Sequence, residues 1–210
     1  MFKSIFSKFF LLTISLILIS ELLKSFLHFD TLFYNSLSEQ LTSEEIENFI
    51  GLQKKWGWIG HFTIAILLLV KTFLISTFIY IGLFFSNKDL KLKLIWKIVL
   101  KAEFIFLLVP LFKIIWFYFF QTSYTLEDVQ YFYPFSALNI IGYENLEPWY
   151  IYPLQTLNLF ELGYWLFLAY LIGKETQTNM DKGFKIVAGS YGPALLLWVV
   201  TIMFFTLNYS

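Results

Sequence analysis

Four ionisable residues, Lys71, Glu103, Lys113 and Glu161, stand inside long apolar runs. A charge near the middle of a membrane helix costs about 2.5–3.5 kcal/mol on insertion scales, so such groups pair with one another or mark a route for ions or protons. Two lysines and two glutamates offer ion pairing or proton exchange, and no nucleophile accompanies them. The chain has no cysteine and lacks the G-x-x-x-x-G-K-S/T, G-x-G-x-x-G and G-x-S-x-G patterns. His28 and His61 are isolated, with none of the spacing of a metal site. The sequence therefore leads to a protein that is not an enzyme and has no cofactor and no metal.

The elements that must hold these four residues are membrane helices. Of 210 residues, 58% are hydrophobic and only 14% charged, against about 25% charged in soluble domains. The net charge is zero, so nucleic acid has no electrostatic footing as a partner. Every basic residue is a lysine, and Phe and Ile are abundant, a composition expected of a bacterial cytoplasmic-membrane protein. Runs of ~20 mainly apolar residues predict an all-α polytopic bundle of five transmembrane helices, at about 5–27, 58–85, 95–120, 154–172 and 184–207. The first resembles a signal peptide, but no small-x-small site follows and Glu21–Leu23 continue the helical pattern, so a retained span is expected. Capping-box patterns at Thr42/Glu45 and Thr125/Asp128 predict two short surface helices on the outer side, the first amphipathic through Ile46, Phe49 and Ile50.

Orientation follows from lysine counts. With the N-terminus cytoplasmic, the inner segments 1–8, 86–97 and 174–185 hold nine lysines. The outer segments 28–57 and 121–153 hold two lysines and nine acids. The positive-inside rule then places the C-terminus outside. On this threading Lys113 and Glu161 lie at equal depth, roughly 12 Å below the outer boundary, and are expected to pair. Lys71 and Glu103 differ by roughly 7 Å, which a lysine stem spans, and form the second expected pair. Lys101 snorkels to the inner headgroups. Such pairs are expected to be interhelical ties, with a transport route as the alternative.

Gln155, Asn158 and Glu161 are expected on one side of the fourth span, as a packing face. On the fifth, Ala188, Gly189, Gly192 and Pro193 are expected to form a close helix–helix contact. Pro110 and Pro193 are expected to kink their helices.

The stretch NLFELGYWLFLAYLIGKETQTNMDKGFKIVAGSYGPALLLWVV (158–200) has an acidic entry, an apolar span, a short polar turn and a Lys-flanked last span. Together with VLKAEFIFLLVPLFKII it resembles the C-terminal half of the Ypt-interacting-protein (Yip) family. The resemblance implies five spans and, as in the family's eukaryotic members, assistance in membrane trafficking. It transfers no functional residues. The expected function is a scaffold or subunit of a membrane complex, associating with lipid and with other membrane proteins or a second copy. The alternative is a transporter or permease component with the four charges along its pathway.

Overall fold

A computed structural model describes the backbone from Phe2 to Tyr209 and the side chains from Ile5 to Tyr209. The described residues are all-α. In chain order they form α1 (Phe2–Phe26), α2 (Phe29–Leu37), α3 (Ser43–Phe85), α4 (Leu92–Ala102), a 3₁₀ turn (Glu103–Leu107) and α5 (Leu108–Phe119). These are followed by α6 (Leu126–Tyr131), α7 (Ala137–Ile141), α8 (Pro148–Thr156), α9 (Leu159–Glu175) and α10 (Met180–Tyr209).

Three helices are long and apolar enough to cross a membrane: Ile5–Phe26 of α1, α3 and α10. Five uninterrupted spans are not present, for two local reasons. The stretch expected at 95–120 is tightened into a 3₁₀ turn at Glu103–Leu107. Pro110 has no N–H and its ring opposes the carbonyl four residues back, at Phe106, so the break falls before the proline, which itself sits in the first turn of α5. The stretch expected at 154–172 begins instead at Leu159. Asn158 caps α9 by accepting the Glu161 backbone N–H at 2.8 Å. Gln155 ends up in α8, Asn158 at a cap and Glu161 in a first turn, so no common helix face joins them. The last helix, by contrast, is unbroken and extends past both expected ends, with Pro193 inside it.

The surface helix expected after Thr42 and the second span are one helix of 43 residues. The Thr42/Glu45 capping box forms as read, with the Thr42 N–H donating to Glu45 Oε2 at 2.9 Å. Beyond it no proline stops the helix, and Gly51, Gly57 and Gly60 are tolerated within it. The Thr125/Asp128 box also forms and starts α6.

The core lies at one end of the bundle. Ile75, Ile79 and Leu83 of α3, Ile95, Ile98 and Val99 of α4, Leu168 and Ile172 of α9, and Ile186 and Val187 of α10 are buried together. The helix α1 packs beside them through Ile5, Phe9 and Leu12 against Leu68 and Leu100. Where lipid replaces water, apolar burial gives little drive, and close backbone packing holds helices together. That packing is visible at three glycines. A Cβ on Gly183 would collide with the Ala169 carbonyl, one on Gly173 would lie 2.7 Å from Asn179 O, and one on Gly82 would lie 2.5 Å from Ser190 Cβ. Of the expected contact residues, Gly192 packs on Trp165, where an added Cβ would lie 3.0 Å from the ring, whereas Gly189 faces open space and Pro193 is exposed. Ala188 is half-buried.

Candidate functional site

The polar groups of the bundle collect in one layer. Counted at 1.5 Å per residue along each helix, Lys71 stands about 21 Å from the Phe85 end of α3, and Glu161 about 21 Å from the Glu175 end of α9. Tyr191 lies about 17 Å from the Met180 end of α10, and Glu103 opens the 3₁₀ turn directly after α4. Four separate helical segments thus bring an ionisable group to nearly the same height above the lysine-bearing turns.

Within the layer, Lys71 Nζ donates to Glu103 Oε2 at 2.9 Å and lies 4.3 Å over the centre of the Phe106 ring. Glu103 is 3% exposed and Lys71 46%, so the carboxylate is sealed and the ammonium reaches in from the α3 side. The proline-driven 3₁₀ turn carries both Glu103 and Phe106, so the feature that interrupts the helix also supplies both contacts of Lys71. The second oxygen, Glu103 Oε1, is buried without a hydrogen-bond partner, and so is the Tyr164 hydroxyl. Tyr164 packs on Phe106 and Tyr191, with ring centres 5.1 and 5.6 Å apart.

Glu161 is satisfied differently. Its Oε1 accepts from the Tyr191 hydroxyl at 2.7 Å and from Trp165 Nε1 at 2.9 Å. Trp165 stands one turn along α9 from Glu161, and its ring also meets Tyr191 at 5.6 Å. Both donors are neutral. The charges of Lys71 and Glu103 act on Glu161 from across the layer. The expected Lys113–Glu161 pair is absent. Lys113 points away from the layer and donates to the Val129 carbonyl of α6 at 2.5 Å. The reason lies in the late start of α9, which leaves Glu161 toward the middle of the bundle, while Lys113, midway along α5, stands beside α6.

Above the layer, residues 121–158 fold down onto the short helix α9. Phe135 meets Phe112 of α5 at 5.2 Å and Phe160 of α9 at 5.9 Å. Gln155 Nε2 donates to the Tyr131 carbonyl at 2.9 Å. Burial, with the Glu161 charge next in effect, raises the Tyr133 phenol above its usual range. Further out, Tyr143 donates to Asp128 Oδ1 at 2.9 Å. Burial and that bond push Tyr143 up to about 12. Burial opposes ionisation of Asp128, but hydrogen bonds from the Thr125 N–H and hydroxyl and from Tyr143 outweigh it and lower its pKa.

Tyr164, Trp165 and Phe106 were within reach of a sequence reading: the first two lie three and four residues after Glu161, and the third lies three after Glu103. Tyr191 carries no such signal. Of the two histidines, His61 Nε2 sits 3.0 Å from Glu21 Oε1, and His28 occupies the left-handed junction between α1 and α2 at φ 48°. No family model, no curated protein and no solved structure matches this chain.

Proposed function

We propose that the chain crosses the bilayer five times, with the N-terminus cytoplasmic and the C-terminus outside, and acts by holding another membrane protein rather than by catalysis. The third crossing is α4, the 3₁₀ turn and α5, segments of 11, 5 and 12 residues in line. The fourth is α9 completed by α8. A broken backbone at membrane depth is tolerated where protein satisfies its polar groups. Here the Ala137 N–H donates to the Leu157 carbonyl at 2.9 Å and the Leu159 N–H to the Phe135 carbonyl at 3.2 Å. The lysine-rich turns α3–α4 and α9–α10 share one end, as a cytoplasmic face requires.

One observation carries the association reading. Residues 51–60 of α3 are exposed all around the helix, including Trp56 and Trp58. This naked stretch is fixed on either side, by the buried Ile46 and the Tyr34–Ser43 bond before it and by His61–Glu21 after it. A rigid rod bearing two tryptophans, set at the height of an interfacial belt, suits a helix or surface of a second membrane protein. Such a role agrees with what the Yip resemblance implies. A photo-reactive residue at Leu52 or Trp56, activated in intact membranes, is expected to give one adduct of defined mass. The same probe at Phe205 of α10 should give lipid adducts alone. Lipid adducts alone at all three positions, with a lone monomer after native extraction, refute the reading. The transport alternative draws its support from the polar layer.

A further inference from the structure

We propose that the polar layer is a proton-binding site in which Glu161 takes up and releases one proton, with the Lys71–Glu103 pair as its fixed neighbour. The inference is independent of what α3 holds.

Charge accounting leads there. Lys71 neutralises Glu103 at 2.9 Å, which leaves Glu161 as the layer's uncompensated acid. Among the described residues no lysine or histidine lies within ion-pair distance of it. In an apolar helix bundle a carboxylate without a counter-cation is costly, which favours the acid. Two hydrogen bonds to Oε1, from Tyr191 and Trp165, favour the carboxylate instead. These opposed effects leave both forms accessible, which is the condition for reversible proton exchange. The step balances simply: a hydronium ion delivers its proton to a Glu161 carboxylate oxygen and leaves as water, and release is the reverse.

Geometry supplies a second, separate observation. Glu103 Oε1 and the Tyr164 hydroxyl are both buried and lie beside each other, an acceptor and a donor in the same layer that do not close a well-formed bond. Buried polar groups are rarely left so. The Tyr164 and Tyr191 rings are in edge contact, and Tyr191 ends on Glu161. Hydroxyls therefore stand between the two carboxylates, and a rotating hydroxyl or a water completes the chain. The other titratable groups facing Glu161 are Tyr133 on the outer side and Tyr164 within the layer. Neither brings a cation.

The test is infrared difference spectroscopy on the full chain in lipid nanodiscs, stepped in pH, in sodium-free and then sodium-containing buffer. One carboxylic C=O band that titrates without sodium is expected, absent in Glu161→Gln and present in Glu103→Gln. In Tyr191→Phe, loss of a charge-assisted donor should raise the proton affinity about tenfold. A band that survives Glu161→Gln, no titrating band at all, or a titration that appears only with sodium overturns the proposal. If Glu161→Gln does not fold, Tyr191→Phe decides: an unshifted titration overturns it as well.

Discussion

Gly183→Ala tests the packing of α9 on α10 most directly. The new Cβ would lie 2.9 Å from the Ala169 carbonyl carbon and 3.0 Å from Gly173 N, with the Ala169 oxygen closer still. All are backbone atoms, so no side chain can swing away. Ordinary carbon contacts are about 3.5–4.0 Å, so the two helices must part by roughly an ångström. Overpacking of this kind costs about 1–3 kcal/mol, offset by up to ~1 kcal/mol from the better helix propensity of alanine. Gly189→Ala is the matched control, because nothing lies within 4 Å of its Cβ position. It should be neutral or gain up to ~1 kcal/mol. For a chain of this size 1 kcal/mol is about 2–4 °C in Tm, so the overpacking cost should separate the two variants by about 2–12 °C. Thermal unfolding of both in the same detergent measures it. If Gly189→Ala is the more damaging of the pair, the helix register described here is wrong.

Three other outcomes follow from the contacts. Lys71→Met strands the Glu103 carboxylate; a broken buried pair costs about 3–5 kcal/mol, discounted here because Lys71 is half exposed, and adding Glu103→Gln should restore most of the loss in an unfolding assay. Lys113→Met leaves the Val129 carbonyl without its donor, so hydrogen exchange should quicken across α6 while α9 and α10 stay protected. The Asp128 cap is pH-dependent. Its folded pKa is below the ordinary 3.8, so its contribution is complete above that value and is lost as pH falls through the folded one. Exchange in α6 should accelerate on acidification in the native chain and not in Asp128→Asn, which keeps a cap acceptor without the charge.

Much of this was legible beforehand, and the failures have physical causes. Both capping boxes were readable because a hydroxyl and a carboxylate three residues apart act locally, and the Lys71–Glu103 contact followed from depth and reach alone. Pro110 was correctly marked as a disruption, but its effect was displaced one turn upstream, where the opposing carbonyl lies. Asn158 read as one more polar residue in a span, because its capping role depends on how residues 135–137 meet residues 157–159. That single misreading moved Glu161 by a turn and produced the false pairing with Lys113. The small-residue contact at 188–193 forms only at Gly192, for a similar reason. Spacing shows that glycines share a face, but only the neighbouring helix decides which glycines it touches.

The length of α3 has a mechanical consequence. Its foot is pinned where Gly82 meets Ser190, and its head at Ser43 lies about 58 Å away. Near the head, beside the buried Ile46, it is held by Lys54–Asp30, His61–Glu21 and the Tyr34–Ser43 bond, all between exposed partners, and exposed ion pairs contribute only about 0–1 kcal/mol each. The helix is therefore a lever with a hard pivot and a soft restraint. A tilt of about 5° at the pivot carries the head about 5 Å sideways, on the same helical rise. Sub-ångström adjustments where α3 meets α10 at Gly82 and Ser190 are thereby magnified into displacements of several ångströms at the Ser43 end.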